Sequence, residues 1–384
     1  MCREECYSVV PELQSYSHKP EVKYIDTRFM TLGGYDPGNR TVFVGHHADK
    51  TEEYLKSAVD TTDGFIPMGV EIEVEHTSET DHGMSRGEST EEALEELHDY
   101  SPHYIDESDS RLRQLIIAKT DSSLSHGVEF VTQPMTLRAH KLMNWEALQN
   151  KGFYAWNAST AGMHVHLPKS YFTTTQLWLF LKLYQNLWTS EKDYFNWLAG
   201  RAENSWAKRQ MPFRNSADNN LLAVASTKWD DRRDRYSALN FLNAYTIELR
   251  FFRSNMNIDG LLSRLEFVQA SYDFVCVLSR LNKKDMFDAI NFGLSKQLHL
   301  FMIGNKSEYP IISERLLNTN KFGVTSDFVN EDMVISSLIN GLNQVRKERS
   351  GYNTNCYNLV LPHYWFVGCT CILPIQRRRH ERRL

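Results

Sequence analysis

Long apolar runs are missing from this chain. The most apolar helical run, Leu177 to Leu187, is too short to cross a bilayer and carries Lys182. Cysteine is scarce: six in 384 residues do not make a disulfide scaffold. The start, Met1-Cys2-Arg3-Glu4-Glu5-Cys6, has acids where a secretory signal needs an apolar core. These absences imply a cytosolic protein with reduced thiols. Neither sign of charge dominates, and a formal net charge of -5 gives no reason for whole-chain attraction to nucleic acid. There is no Gly-rich phosphate loop with its lysine, which argues against a P-loop mechanism. Internal repeats and long low-complexity tracts are absent too.

What is present suits a globular fold. A hydrophobic content of 41% and an aromatic content of 12% can fill a core. A length of 384 residues allows one large domain with appendages, or two domains. Patterning divides the chain into an extension over 1–60, a central domain over 61–305 and a helical C-terminal region over 306–384. Cys2 and Cys6 form half a zinc site at most and read as ordinary thiols. Cys356, His363, Cys369 and Cys371 match no strong zinc spacing. The tail from Arg377 to Arg383 reads as disordered, with weak polyanion contact as its second reading.

Gly69 to His76 alternates strictly and reads as a strand. Val70, Ile72 and Val74 take one face; Glu71, Glu73 and Glu75 take the other. Taken alone this is a solvated amphipathic strand. Inside a protein, aligned carboxylates would instead raise a pKa or call in a cation. Arg113 to Lys119 and Val128 to Gln133 read as a hairpin around the turn from Asp121 to Gly127. Such a hairpin can bring Asp121 and Glu129 toward one site; separately they are exposed acids. Ala161 to Pro168 is another short strand, with His164 and His166 on one side. That pair suits a metal or a phosphate, and equally a surface or hydrogen-bonded core. Ala244 to Arg253 puts Glu248, Arg250 and Phe252 on one face. Glu248 and Arg250 make a structural pair, or the charges of a site that handles a metal and a phosphoryl group.

Helical stripes fill the remainder. Helices are expected over Ser89 to Tyr100 with a Ser89/Glu92 capping box, Thr136 to Asn150, Thr173 to Gly200, Asp259 to Leu281, Met286 to Phe301 and Phe328 to Arg349.

Four pieces, GVEIEVE, TDSS…GVEFVTQP, AGMHVHLP and IELRFF, resemble the amidoligase family in residue type and in order. These are relatives of glutamine synthetase and glutamate–cysteine ligase, and GMHVH is similar to a glutamine synthetase strand. The resemblance spans residues 68 to 255. It implies an α+β fold with a curved antiparallel sheet and helices packed outside. It also implies a carboxylate–amine ligase that uses ATP and Mg²⁺ (or Mn²⁺) to form an amide through an acyl phosphate. By the resemblance, Glu71, His164 and Glu248 surround one metal, while Glu73, Asp121 and Glu129 surround another. Arg250, and more weakly Arg235, would steady the phosphoryl group, and His166 would orient its neighbours. Asp121 departs from the glutamate of glutamine synthetase. The flap that closes over ammonia has no counterpart, which points to a larger amine on a peptide, protein or cell-wall precursor. Two other classes stay open: a metal-dependent phosphate-ester hydrolase or nuclease, and a binding protein of the same fold that has lost catalysis.

Overall fold

The computed structural model describes residues 42–43, 65–77, 86–99, 116–119, 121, 123–132, 134–149, 151–212, 221–230, 234–243, 245–319 and 333–353. The readings made at Cys2, Cys6, Cys356, His363, Cys369, Cys371 and the arginine tail lie outside those residues.

Among the described residues, eight strands form one open antiparallel sheet. They are β1 (Val42–Phe43), β2 (Gly69–His76), β3 (Ile116–Lys119), β4 (Gly127–Thr132), β5 (Phe153–Tyr154), β6 (Gly162–Pro168), β7 (Leu239–Asn240) and β8 (Thr246–Arg253). Their order is β1-β3-β4-β2-β6-β8-β7, with β5 also pairing with β2. The four motif strands therefore lie side by side, with β2 at the centre between β4 and β6.

Alternation sets the two faces of the sheet. Val70, Ile72, Val74, Val128, Phe130, Met163, Val165, Leu167 and Leu249 join one apolar core. The other face is polar, yet it is not solvated: every residue of β2 is buried. The solvated-strand reading of Glu71, Glu73 and Glu75 is thereby overturned. Burial on this face is therefore set by tertiary packing and not by the strand's own pattern.

A bulge interrupts the pairing of β6 with β8. Met163 faces Phe252 and Val165 faces Leu249, which leaves Arg250 and Phe251 together opposite His164. Arg201 caps the irregularity, since its guanidinium donates to the carbonyls of Arg250 and Phe251.

The helices are α1 (Arg86–Asp99), α2 (Leu137–Leu142), α3 (Thr174–Thr189), α4 (Lys192–Ala199), α5 (Leu221–Thr227) and α6 (Ile258–Leu278). They continue with α7 (Lys283–Phe292), α8 (Leu294–Gly304), α9 (Pro310–Thr319) and α10 (Met333–Asn353). Three expected helices are broken. The 136–150 helix ends when Met143 turns extended, and Trp145–Leu148 forms a separate 3₁₀ turn. The 173–200 helix is α3 and α4, divided at Ser190 and Glu191. The break re-aims Phe195 onto Tyr184 and Phe251. Gly293, at φ 109°, separates α7 from α8. α1 starts three residues before its expected cap. Ser89 is fully buried, with its hydroxyl 2.9 Å from His76 Nε2.

α6 is buried from Gly260 to Leu278. Two of its buried acids are matched by the segments around it. Glu266 pairs with Lys141 at 2.6 Å and accepts from the Ile312 amide. Asp273 accepts from Tyr309 and from Arg346. α9 and α10 thus share the core of the sheet. Among the described residues, no helix is long and apolar enough to cross a membrane.

Candidate metal centre

Strand register builds the site in rows. Across β3, β4 and β2 stand Lys119, Glu129 and Glu73. Glu71 stands opposite His164, and His166 opposite Glu248. Each row crosses one face of a pleated sheet, so these side chains converge.

The distances follow from that register. Glu71 Oε2 is 3.0 Å from His164 Nδ1, which is 3.5 Å from Glu248 Oε1. On the other side, His164 Nε2 is 3.9 Å from Glu73 Oε1. Lys119 Nζ lies 3.1 Å from Glu129 Oε2, both side chains closed to water. Two sets of three can each bring ligand atoms within 4.8 Å of one another: Glu71, His164 and Glu248, and Glu73, Glu129 and His164.

The surrounding residues hold these groups in place. His166 Nδ1 meets Thr246 Oγ1 at 3.2 Å, and its Nε2 sits 3.2 Å from Glu71 Oε1. Glu248 accepts from Asn240 at 2.8 Å and pairs with Arg250 Nη1. Glu73 accepts the Gly162 amide. Glu75 is occupied elsewhere: it accepts from the Ser125 and His126 amides and the Thr160 hydroxyl, fixing the hairpin turn.

Electrostatics divides the four acids. Burial opposes charge on Glu71, but His166 and Lys119 outweigh it, and the carboxyl stays well below its usual range. Glu248 is likewise held down against burial, by Arg250 and both imidazoles. Burial raises Glu129 well above its usual value despite Lys119, with Glu71 and Glu73 adding to it. Glu73 is raised by burial and further by Asp121. His166 is raised against burial by Glu71.

This donor set fits a hard divalent ion. The carboxylate oxygens suit Mg²⁺ or Mn²⁺, and the His164 imidazole nitrogen favours Mn²⁺ of the two. Glu71 Oε1 has His166 Nε2 beside it at 3.2 Å, and a carboxylate oxygen has a second lone pair that a cation would take. Only with all four carboxylates ionised, both imidazoles neutral and Arg201 left aside would Lys119 and Arg250 leave two negative charges, and the raised Glu73, Glu129 and His166 each lower that number.

No family model and no curated protein matches the chain. Its function is therefore argued from the site.

The structure brings Glu71, Glu73, Glu129, His164, His166, Glu248 and Arg250 together. Asp121 stands aside. Its carboxylate accepts from the Ser123 amide at 2.6 Å and its charge acts on Glu73, but it is in neither set of converging ligand atoms. Arg235 is exposed, with its guanidinium 4.8 Å from the Tyr236 ring. Sequence reasoning missed Lys119, Thr246 and Asn240 as parts of the site. Lys119 had a signal: counted back from the hairpin turn, it falls directly opposite Glu129.

Proposed function

We propose that the buried acid face holds a divalent cation and, with it, ATP, and that the protein is an ATP-dependent carboxylate–amine ligase. A glutamine synthetase-like curved sheet belongs to the same proposal. The observation that carries it is the meeting of all four motif strands, adjacent and in register, on one face of one antiparallel sheet.

Glu71, His164 and Glu248 are the residues that would hold the ion. His166 fixes Glu71 from the far side and is itself fixed by Thr246. The second position fits an ion less well, because Lys119 already supplies a charge to Glu129. We read the site as taking one Mg²⁺ or Mn²⁺, with Lys119 as its resident cation. When bound, Mg-ATP supplies the phosphoryl group that activates a carboxylate as an acyl phosphate. Arg250, buried beside Glu248, offers a planar fork of donors to the oxygens that carry the developing charge. Glu129, raised toward its neutral form, is a candidate proton carrier for the incoming amine. The substrates on this reading are a carboxylate and an amine larger than ammonia.

The test is a screen of carboxylates and amines with Mg-ATP, read by ADP release and product mass. ADP release that needs both substrates supports the ligase. Equal ATP affinity with and without chelator, or cleavage of a phosphate ester without ATP, sinks it.

A further inference from the structure

Beyond the acid face, at the far end of β6 and β8, the chain gathers arginines with too few acids. Arg264 on α6 is 2% exposed, and its Nε and Nη1 have no hydrogen-bond partner among the described residues. The charged side chains that act on it are Arg315, Arg201 and Arg253, all of its own sign. Burial, then those neighbours, pull it down to about 9. Trp156 sits over the group and is 47% exposed. The Arg253 guanidinium lies 4.9 Å from its ring and that of Arg264 5.9 Å. Gly200 makes room from below. It ends α4 at φ 74°, and a Cβ there would stand 2.8 Å from Arg264 Nη2 and 3.0 Å from Trp156.

A buried guanidinium among like charges is costly unless an anion joins it. Neighbouring carboxylates relieve the other members in part: Asp259 acts on Arg315 and Glu73 on Arg201. Among the described residues, no carboxylate does the same for Arg264. We propose that Arg264 and Arg253, beneath Trp156, form an oxyanion subsite for a carboxylate or phosphate group of the substrate. Guanidinium forks match such groups two oxygens at a time.

The subsite is continuous with the acid face. Arg253 pairs in register with Gly162, whose amide Glu73 accepts. A Cβ on Gly162 would lie 3.2 Å from both Glu73 Oε2 and His164 Nε2, and 3.4 Å from Arg201 Nη2. A molecule held by Arg253 and Arg264 would lie next to the strand end where Gly162 meets Glu73. The substrate class is one with an anionic group remote from its reacting group. The inference does not need the ligase reading, since a hydrolase could use the same anchor.

The experiment titrates the full chain with inorganic phosphate and, separately, with succinate. Metal is first removed on a chelating resin so that none takes part and no dissolved polycarboxylate competes, and sodium chloride keeps the ionic strength constant. The readouts are the thermal unfolding midpoint and tryptophan fluorescence. At least one oxyanion should raise the midpoint with saturation. A response to succinate alone assigns a carboxylate, to phosphate alone a phosphate group, and to both an unselective oxyanion site. Arg264→Met should lose the response and, in the same buffer without added oxyanion, unfold at or above the wild-type midpoint. Arg253→Gln, at a partly exposed position, should weaken the response at least tenfold and keeps the test decisive if Arg264→Met does not fold. No shift beyond that of chloride, or an undiminished response in a folded variant, overturns the subsite. Because neither ATP nor metal is used, that result leaves the ligase reading standing.

Discussion

Lys119 ends β3 with its ammonium 3.1 Å from Glu129 and no exposure to solvent. At about 4 Å and an effective dielectric of about 20, like unit charges repel by roughly 4 kcal/mol. A divalent ion between Glu73 and Glu129 would meet that repulsion twice over. Wild-type protein is therefore expected to take up one Mn²⁺ per chain. Lys119→Met, which keeps length and loses charge, should bind a second ion or tighten the first at least tenfold. Counting bound Mn²⁺ by magnetic resonance checks this. One ion with unchanged affinity in the variant would reduce Lys119 to a packing role. The site acids were legible because their alternation marks one face of each strand. Lys119 was not, because it closes an apolar run and takes its meaning from the strand opposite.

At the scale of elements, the pairing of β2 with β4 sets the distance between Glu73 and Glu129. Gly127 permits it. A Cβ there would lie 2.0 Å from the Val74 carbonyl oxygen, a backbone atom that cannot swing aside. Gly127→Ala should destabilise by about 1–3 kcal/mol, the usual cost of forced overpacking, and weaken metal binding as the strands separate. Gly69→Ala is the control, since its Cβ would meet only His166 Cβ at 3.5 Å. Chemical denaturation of both variants decides the point; equal losses would show that close approach at Gly127 is unimportant. The strands were read well from period two, which survives any packing. The helices were read too long. Their breaks at Met143, at Ser190 and Glu191, and at Gly293 answer to what each segment must pack against.

For the whole molecule, stability below neutral pH is tied to buried histidines. His140 is fully buried with Nε2 at 2.9 Å from the Met68 carbonyl, and burial pulls its pKa down to about 4. His299 is pulled down to about 3 for the same reason. An unfolded histidine titrates near 6.5. Between about 4 and 6.5 the unfolded chain binds a proton that folded His140 refuses, so stability falls on acidification there. For His140 the limit is on the order of 3 kcal/mol. The raised Glu73 and Glu129 act in the opposite sense, so the variant comparison is the informative one. His140→Gln should flatten the decline in the unfolding midpoint between pH 6.5 and 4.5. Parallel curves for variant and wild type would place the acid sensitivity elsewhere.

By itself the sequence determined the motif strands, their faces and the chemical types on each, because a strand's period is local. It left open whether those acids meet water. Only the tertiary structure decided that, by laying four strands side by side and covering their polar face. The same residues then changed character: carboxylates read as solvated became a buried set, and Glu71 and Glu129 moved to opposite sides of the ordinary range. The arginines around Trp156 belong to the same class of fact. They come from four separate elements of the chain, and no local pattern links Arg201, Arg253, Arg264 and Arg315 before the chain folds.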